Sequence, residues 1–168
     1  NDSLFTKRVE AGGPITALGF LDEKVIIFKE GEIRYFVGEG PNNVGQGAFS
    51  EDYLVTADVG CTNRNSVVVV PAGLMFKSRK GIYLLGRDLS VSYIGADVEA
   101  YNDSTVHRAL LLPKYHQVRF LLSGGPVLVF DYLMSAWSVY TDEGPYAGLQ
   151  DAAVWQDEFT LAGRGANA

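Results

Sequence analysis

Residues 20–38 read FLDEKVIIFKEGEIRYFVG, and this stretch decides the fold. Two apolar runs rich in Val, Ile, Phe and Tyr flank the turn residues Glu30-Gly31, and a second turn, Leu21-Asp22-Glu23, precedes them; that is the pattern of an antiparallel meander. The pattern returns. Residues 67–86 read VVVVPAGLMFKSRKGIYLLG and residues 118–140 read VRFLLSGGPVLVFDYLMSAWSVY. Phe28, Phe76 and Phe130 each stand near the end of a short apolar strand, and their spacing of roughly fifty residues falls in the range of propeller-type repeats. Tyr35, Tyr83 and Trp137 follow them as further repeat anchors.

Working outward, Ile15–Phe20, Lys24–Lys29 and Glu32–Val37 are the predicted strands of a first repeat spanning about 11–40. Gly38–Gly47, with Pro41, Asn42 and Asn43, carries too many breakers to continue a sheet and reads as a loop. A second repeat, about 52–88, is expected from Tyr53–Ala57, Asn65–Val70, Leu74–Lys77 and Ile82–Leu85. Val91, Tyr93 and Ile94 allow one short strand after it. Val106–Leu112 reads as strand in preference to a helical turn ended by Pro113, opening a third repeat of about 106–142. There Val118, Phe120 and Leu122 share one strand face. Ala152–Trp155 and Phe159–Ala162 form the first hairpin of a partial fourth unit, about 150–163.

The expected fold class is therefore all-β: one repeat domain of consecutive antiparallel meander sheets, propeller-like, with three blades and part of a fourth. A lone sheet of this size cannot cover its own apolar face, whereas successive sheets can share a core. Three units and a part are few for a closed ring. Either further sheets lie outside the given chain, or a partner covers the ends, or the hairpins build an open stack.

Composition bounds the function classes. The chain has 168 residues, 47% of them hydrophobic, 19 glycines and a formal charge of −6. Apolar runs such as Val67–Val70 and Ala109–Leu112 fall far short of the ~18 residues of a membrane-spanning helix, so no membrane role is expected. The acidic balance argues against binding nucleic acid through its phosphates. Lys77, Arg79 and Lys80, with Arg87 beyond, read as a solvated hairpin tip. No basic, apolar leader is visible, and the first residue, Asn1, fits a processed product or a piece of something longer.

No residue is nominated as catalytic, cofactor-binding or metal-ligating. Cys61 stands alone and reads as a packed residue at the head of a strand. His107 and His116 lack ligand spacing. Ser123-Gly124 has no nucleophile-elbow context. Gly38-Glu39-Gly40 and Gly45-Gln46-Gly47 lack the strand-to-helix setting of a phosphate cradle. The acid pairs Asp22-Glu23, Glu51-Asp52, Asp142-Glu143 and Asp157-Glu158 all fall at turns, the places where solvated acids cost least. Aromatic residues, including Tyr93, Tyr101, Tyr115, Tyr132, Tyr140, Tyr146 and Trp155, recur near strand ends, where they pack between sheets or form a strip that stacks on sugars.

The runs Gly60-Cys61-Thr62-Asn63-Arg64-Asn65-Ser66-Val67, Gly73-Leu74-Met75-Phe76, Lys80-Gly81-Ile82-Tyr83, Tyr93–Glu99, Val127–Tyr132 and Trp137-Ser138-Val139-Tyr140 resemble the β-propeller region of tailed-bacteriophage tail proteins. The likeness is to the tail hub, nozzle and packaged-DNA stabilisation proteins of short-tailed phages. It implies a non-enzymatic structural part of the virion tail, arranged as a homo-oligomer with other tail subunits around the DNA exit channel, without a cofactor and without sequence-specific DNA binding. The departure is length, since family members carry further domains that touch neighbouring tail parts. Two alternatives stand beside it: a carbohydrate-binding module recognising a host glycan through exposed aromatics, and a propeller-type glycan hydrolase needing two facing carboxylates.

Overall fold

The structure, a computed structural model, describes residues 9, 12–42, 44–141 and 149–163. Four antiparallel meander sheets follow one another along the chain. The first holds β1 (Ile15–Leu21), β2 (Lys24–Lys29), β3 (Ile33–Val37) and β4 (Tyr53–Thr56). The second holds β5 (Val68–Val70), β6 (Gly73–Ser78), β7 (Gly81–Gly86) and β8 (Val91–Tyr93). The third holds β9 (Val106–Leu112), β10 (Gln117–Leu122), β11 (Val127–Asp131) and β12 (Ala136–Tyr140). A two-stranded fourth sheet pairs β13 (Leu149–Trp155) with β14 (Glu158–Gly163) across Gln156-Asp157, both in left-handed backbone as a two-residue hairpin requires.

In each complete sheet the strands lie in chain order, and the first strands β1, β5, β9 and β13 neighbour one another in space. That arrangement is propeller-like. We call the face of a sheet that looks toward the preceding sheet its front, and the opposite face its back. Strand alternation puts successive side chains on opposite faces, so the first three sheets each have apolar side chains on both front and back.

The back of the first sheet (Ala17, Leu21, Ile26, Phe28 and Ile33) packs on the front of the second (Leu74, Phe76 and Leu85), with Val59 and Cys61 closing the joint. The Phe28 and Phe76 rings meet at 5.0 Å between centroids. Gly19 makes room for this approach, because a Cβ there would stand 2.9 Å from a Leu74 methyl. The back of the second sheet (Val68, Val70, Met75 and Ile82) meets the front of the third (Val118, Phe120, Leu122 and Leu128). Leu121, Val127 and Val129 on the back of the third sheet meet Ala152 and Phe159 of the fourth.

Three boundaries differ from the sequence reading. Tyr53–Thr56 belongs to the first sheet, where it pairs with β3, rather than opening the second. The loop after β3 returns because Ser50 bonds Val37 twice, its N–H donating to the Val37 carbonyl and its Oγ accepting from the Val37 N–H. Ring contact of Tyr35 with Tyr53, at 5.3 Å, completes the pairing. Arg64–Ser66 is a 3-10 turn capped by the Asn63 side chain, so the second sheet begins only at Val68. Its outer strand is Val91–Tyr93. Val106–Leu112 is strand, and Pro113 starts a single 3-10 turn after it.

The phenylalanine landmarks are also not equivalent. Phe28 lies on the back of a second strand and Phe76 on the front of one, which is why they touch. Phe130 sits half-buried on a third strand, while the residue in the place of Phe76 is Phe120, fully buried on β10. A repeat count from one residue type cannot see which face that residue occupies.

Phe76→Ala empties the middle of the first joint and is expected to cost about 3–5 kcal/mol of unfolding free energy, read as a lowered urea midpoint. Leu18→Ala, on an exposed front position, serves as the comparison and is expected to change it by under about 1 kcal/mol.

Candidate functional site

The residues nominated as anchors are structural. Phe28 and Phe76 fill the first joint, with Tyr35 and Tyr83 packed beside them. Phe130 and Trp137 lie 4.8 Å apart, ring to ring, at the rim of the second joint, where the Trp137 indole N–H donates to the Ile94 carbonyl at 2.6 Å. Among the described residues no three His, Cys, Asp or Glu side chains gather to hold a metal.

One acid of each described turn pair is engaged by a cation. Asp22 pairs with Arg87, Asp52 with Arg34 at 3.0 Å, and Glu158 with Lys114 at 2.6 Å. Asp142-Glu143 and Tyr146 lie outside the described residues. The basic cluster is not a free hairpin tip. Arg79 pairs with Glu30, Lys80 with Asp58 at 2.7 Å, and Arg87 with Asp22, so all three cations cross from the second sheet to the first or the loop after it. Each such exposed pair contributes little alone.

Lys77 is buried. It projects from β6 between the second and third sheets, and its ammonium donates to the carbonyls of Ser78 at 2.8 Å and Asn102 at 2.6 Å. Burial pushes its pKa below the ordinary lysine value, partly offset by the charge of Asp103. A polar cleft of about 450 Å³ opens beside it, lined by Thr62, Asn63, Arg79, Ser104 and Thr105 as well. An apolar cleft of about 280 Å³ lies at the same joint between Met75, Leu84, Ile94, Phe130 and Tyr132.

Cys61 is fully buried; desolvation raises its thiol pKa, against hydrogen bonds to Ser66 and the Asn63 carbonyl. Such a thiol is inert.

The front of the first sheet is different in kind. Strand register aligns two rows across it: Leu18, Ile27, Arg34 and Leu54 in one, Phe20, Val25 and Phe36 in the other. Phe20 is 68% exposed, Leu18 55% and Leu54 51%. Phe49 covers part of Phe36 edge-on at 5.1 Å. Beside the rows lies an ion network: Lys29, fully buried, stands 3.2 Å from the Glu32 carboxylate, which also accepts from Arg34 Nε at 3.0 Å. Burial alone would raise the Glu32 pKa, but hydrogen bonds and charge from Arg34 and Lys29 hold it below the ordinary value.

Among the described residues, aromatic rings also gather around Arg119. The Arg119 guanidinium lies against the rings of Phe159 at 4.9 Å, Tyr140 at 5.8 Å and Tyr115 at 5.9 Å, so those faces already hold a cation.

Sequence reasoning missed the buried state of Lys77 and the apolar front, because both depend on which neighbouring sheet lies over a given strand face. No protein-family model matches the chain, and no curated protein matches it.

Replacing Lys77 by Met leaves two inward carbonyls without their donor, with an expected loss of about 1–3 kcal/mol at neutral pH. Because the folded-state pKa is lowered, wild-type stability gains as pH rises through that value toward 10.5. Denaturant titrations at several alkaline pH values should show this gain in wild type and not in Lys77→Met. For Cys61, a thiol-specific chromophore should label the native chain at least tenfold slower than the urea-unfolded chain; equal rates would contradict its burial.

Proposed function

We propose that the chain is a structural, non-enzymatic module of a tailed-phage virion tail, working through protein-protein contacts in a propeller-like array around the DNA exit channel. One observation carries this reading: a sheet front bearing Leu18, Phe20 and Leu54 in the open, on a molecule whose other fronts are covered by sheets. Exposed apolar rows of this kind mark interaction surfaces. The motifs that resemble tail hub and nozzle proteins supply the setting, and the acidic balance suits a wall that DNA passes without sticking.

The ion-paired turn acids, Asp22, Asp52 and Glu158, support a non-catalytic reading over a glycan hydrolase. The stacking of Arg119 on Tyr115, Tyr140 and Phe159 weighs against free sugar-binding platforms there. Immunogold microscopy with antibodies to the chain, on tailed particles from the producing cells, should place label on the tail. Particles without label, together with binding on a glycan array, would replace this reading with the carbohydrate-binding one.

A further inference from the structure

We propose that the front of the first sheet receives the back of the fourth sheet of a second copy, head to tail. This rests on the reading of the chain as an assembling module and names its partner.

Within one chain, three joints are made in one way: the back of a sheet meets the front of the next, with first strands side by side. Among the described residues this leaves one front without a sheet over it, that of the first, and one back, that of the fourth. They are the two halves of the same kind of joint. The exposed back of the fourth sheet carries Ala153, Trp155, Thr160 and Ala162, with Asp151 and Glu158 on the same face paired to Arg108 and Lys114 of the third unit, since Ala152 faces the third sheet and alternation sends its neighbours outward.

The side chains fit the pattern of the first joint, where one aromatic from a back, Phe28, meets one from a front, Phe76. Trp155, 69% exposed, is the aromatic of the open back, and Phe20, 68% exposed, that of the open front. Both lie on first strands. Both also lie next to the turn joining first and second strands, Phe20 before Asp22-Glu23 and Trp155 before Gln156-Asp157. Continuing the array into a second copy sets β13 beside β1, as β9 already lies beside β13, and brings Trp155 to the row of Phe20, Val25 and Phe36. A contact of two different patches is heterologous, so copies add to a ring, which can close at two copies, or to a filament.

The test is sedimentation equilibrium of the 168-residue chain, alone and as Phe20→Asp and Trp155→Asp, with circular dichroism to verify that each variant is folded. Both substituted positions are exposed, so the sheets should survive. Wild type should associate, and each variant alone should be monomeric. An equimolar mixture of the two should form a 1:1 dimer of twice the monomer mass, because Phe20→Asp keeps an intact back and Trp155→Asp an intact front. Wild type that stays monomeric up to millimolar concentration overturns the proposal, as does self-association of either folded variant, which would mean a symmetric contact or another partner surface. Tail labelling by immunogold is independent of this outcome, so a monomeric chain that labels tails would remove the head-to-tail contact and leave the structural reading standing.

Discussion

The constraint on which the molecule depends is that a small twisted sheet has two apolar faces and no helix to cover either. Each sheet solves half of this by lying on its successor. Burying a large side chain such as Phe28 or Phe76 is worth roughly 2–3 kcal/mol, and the first joint buries both at once against Leu74, Leu85 and Ile26. Removing an inner sheet exposes two faces, so the array is stable as a series of joints rather than as separate leaves.

Charge is arranged around these joints and not in place of them. Arg79, Lys80 and Arg87 reach across the first joint to acids at its rim, and Lys77 lies inside the second with its ammonium on the carbonyls of Ser78 on its own strand and Asn102 in the connection to the third sheet. The rim pairs are exposed and contribute little alone, whereas Lys77, a charged group inside a joint, must find partners in one geometry. The same logic explains the Lys29, Glu32, Arg34 and Asp52 network at the end of the open front. A buried ammonium there is tolerable only with the Glu32 carboxylate beside it.

Among the described residues, one front and one back have no sheet over them. On the open front the place that Phe76 and Phe120 hold on the covered fronts is taken by Ile27, itself buried, while Phe20 one row nearer the turn stands in the open. The clefts at the second joint, one polar around Lys77 and one apolar around Phe130, follow from two curved leaves that do not touch along their whole length.

Strand content, turn positions and the meander order were legible in the sequence, because alternation and turn chemistry are local: Val118, Phe120 and Leu122 share a face as their spacing requires, and Gln156-Asp157 closes a hairpin. Local pattern groups Tyr53–Ala57 with the second repeat, whereas β4 belongs to the first sheet, because the pairing of Tyr53 with Tyr35 spans a long loop that no local pattern reports. The face taken by each phenylalanine, the burial of Lys77 and the exposure of Phe20 were settled only by the tertiary structure. Local sequence fixes which residues alternate along a strand, but which of the two faces meets a neighbour depends on how one sheet lies over the next.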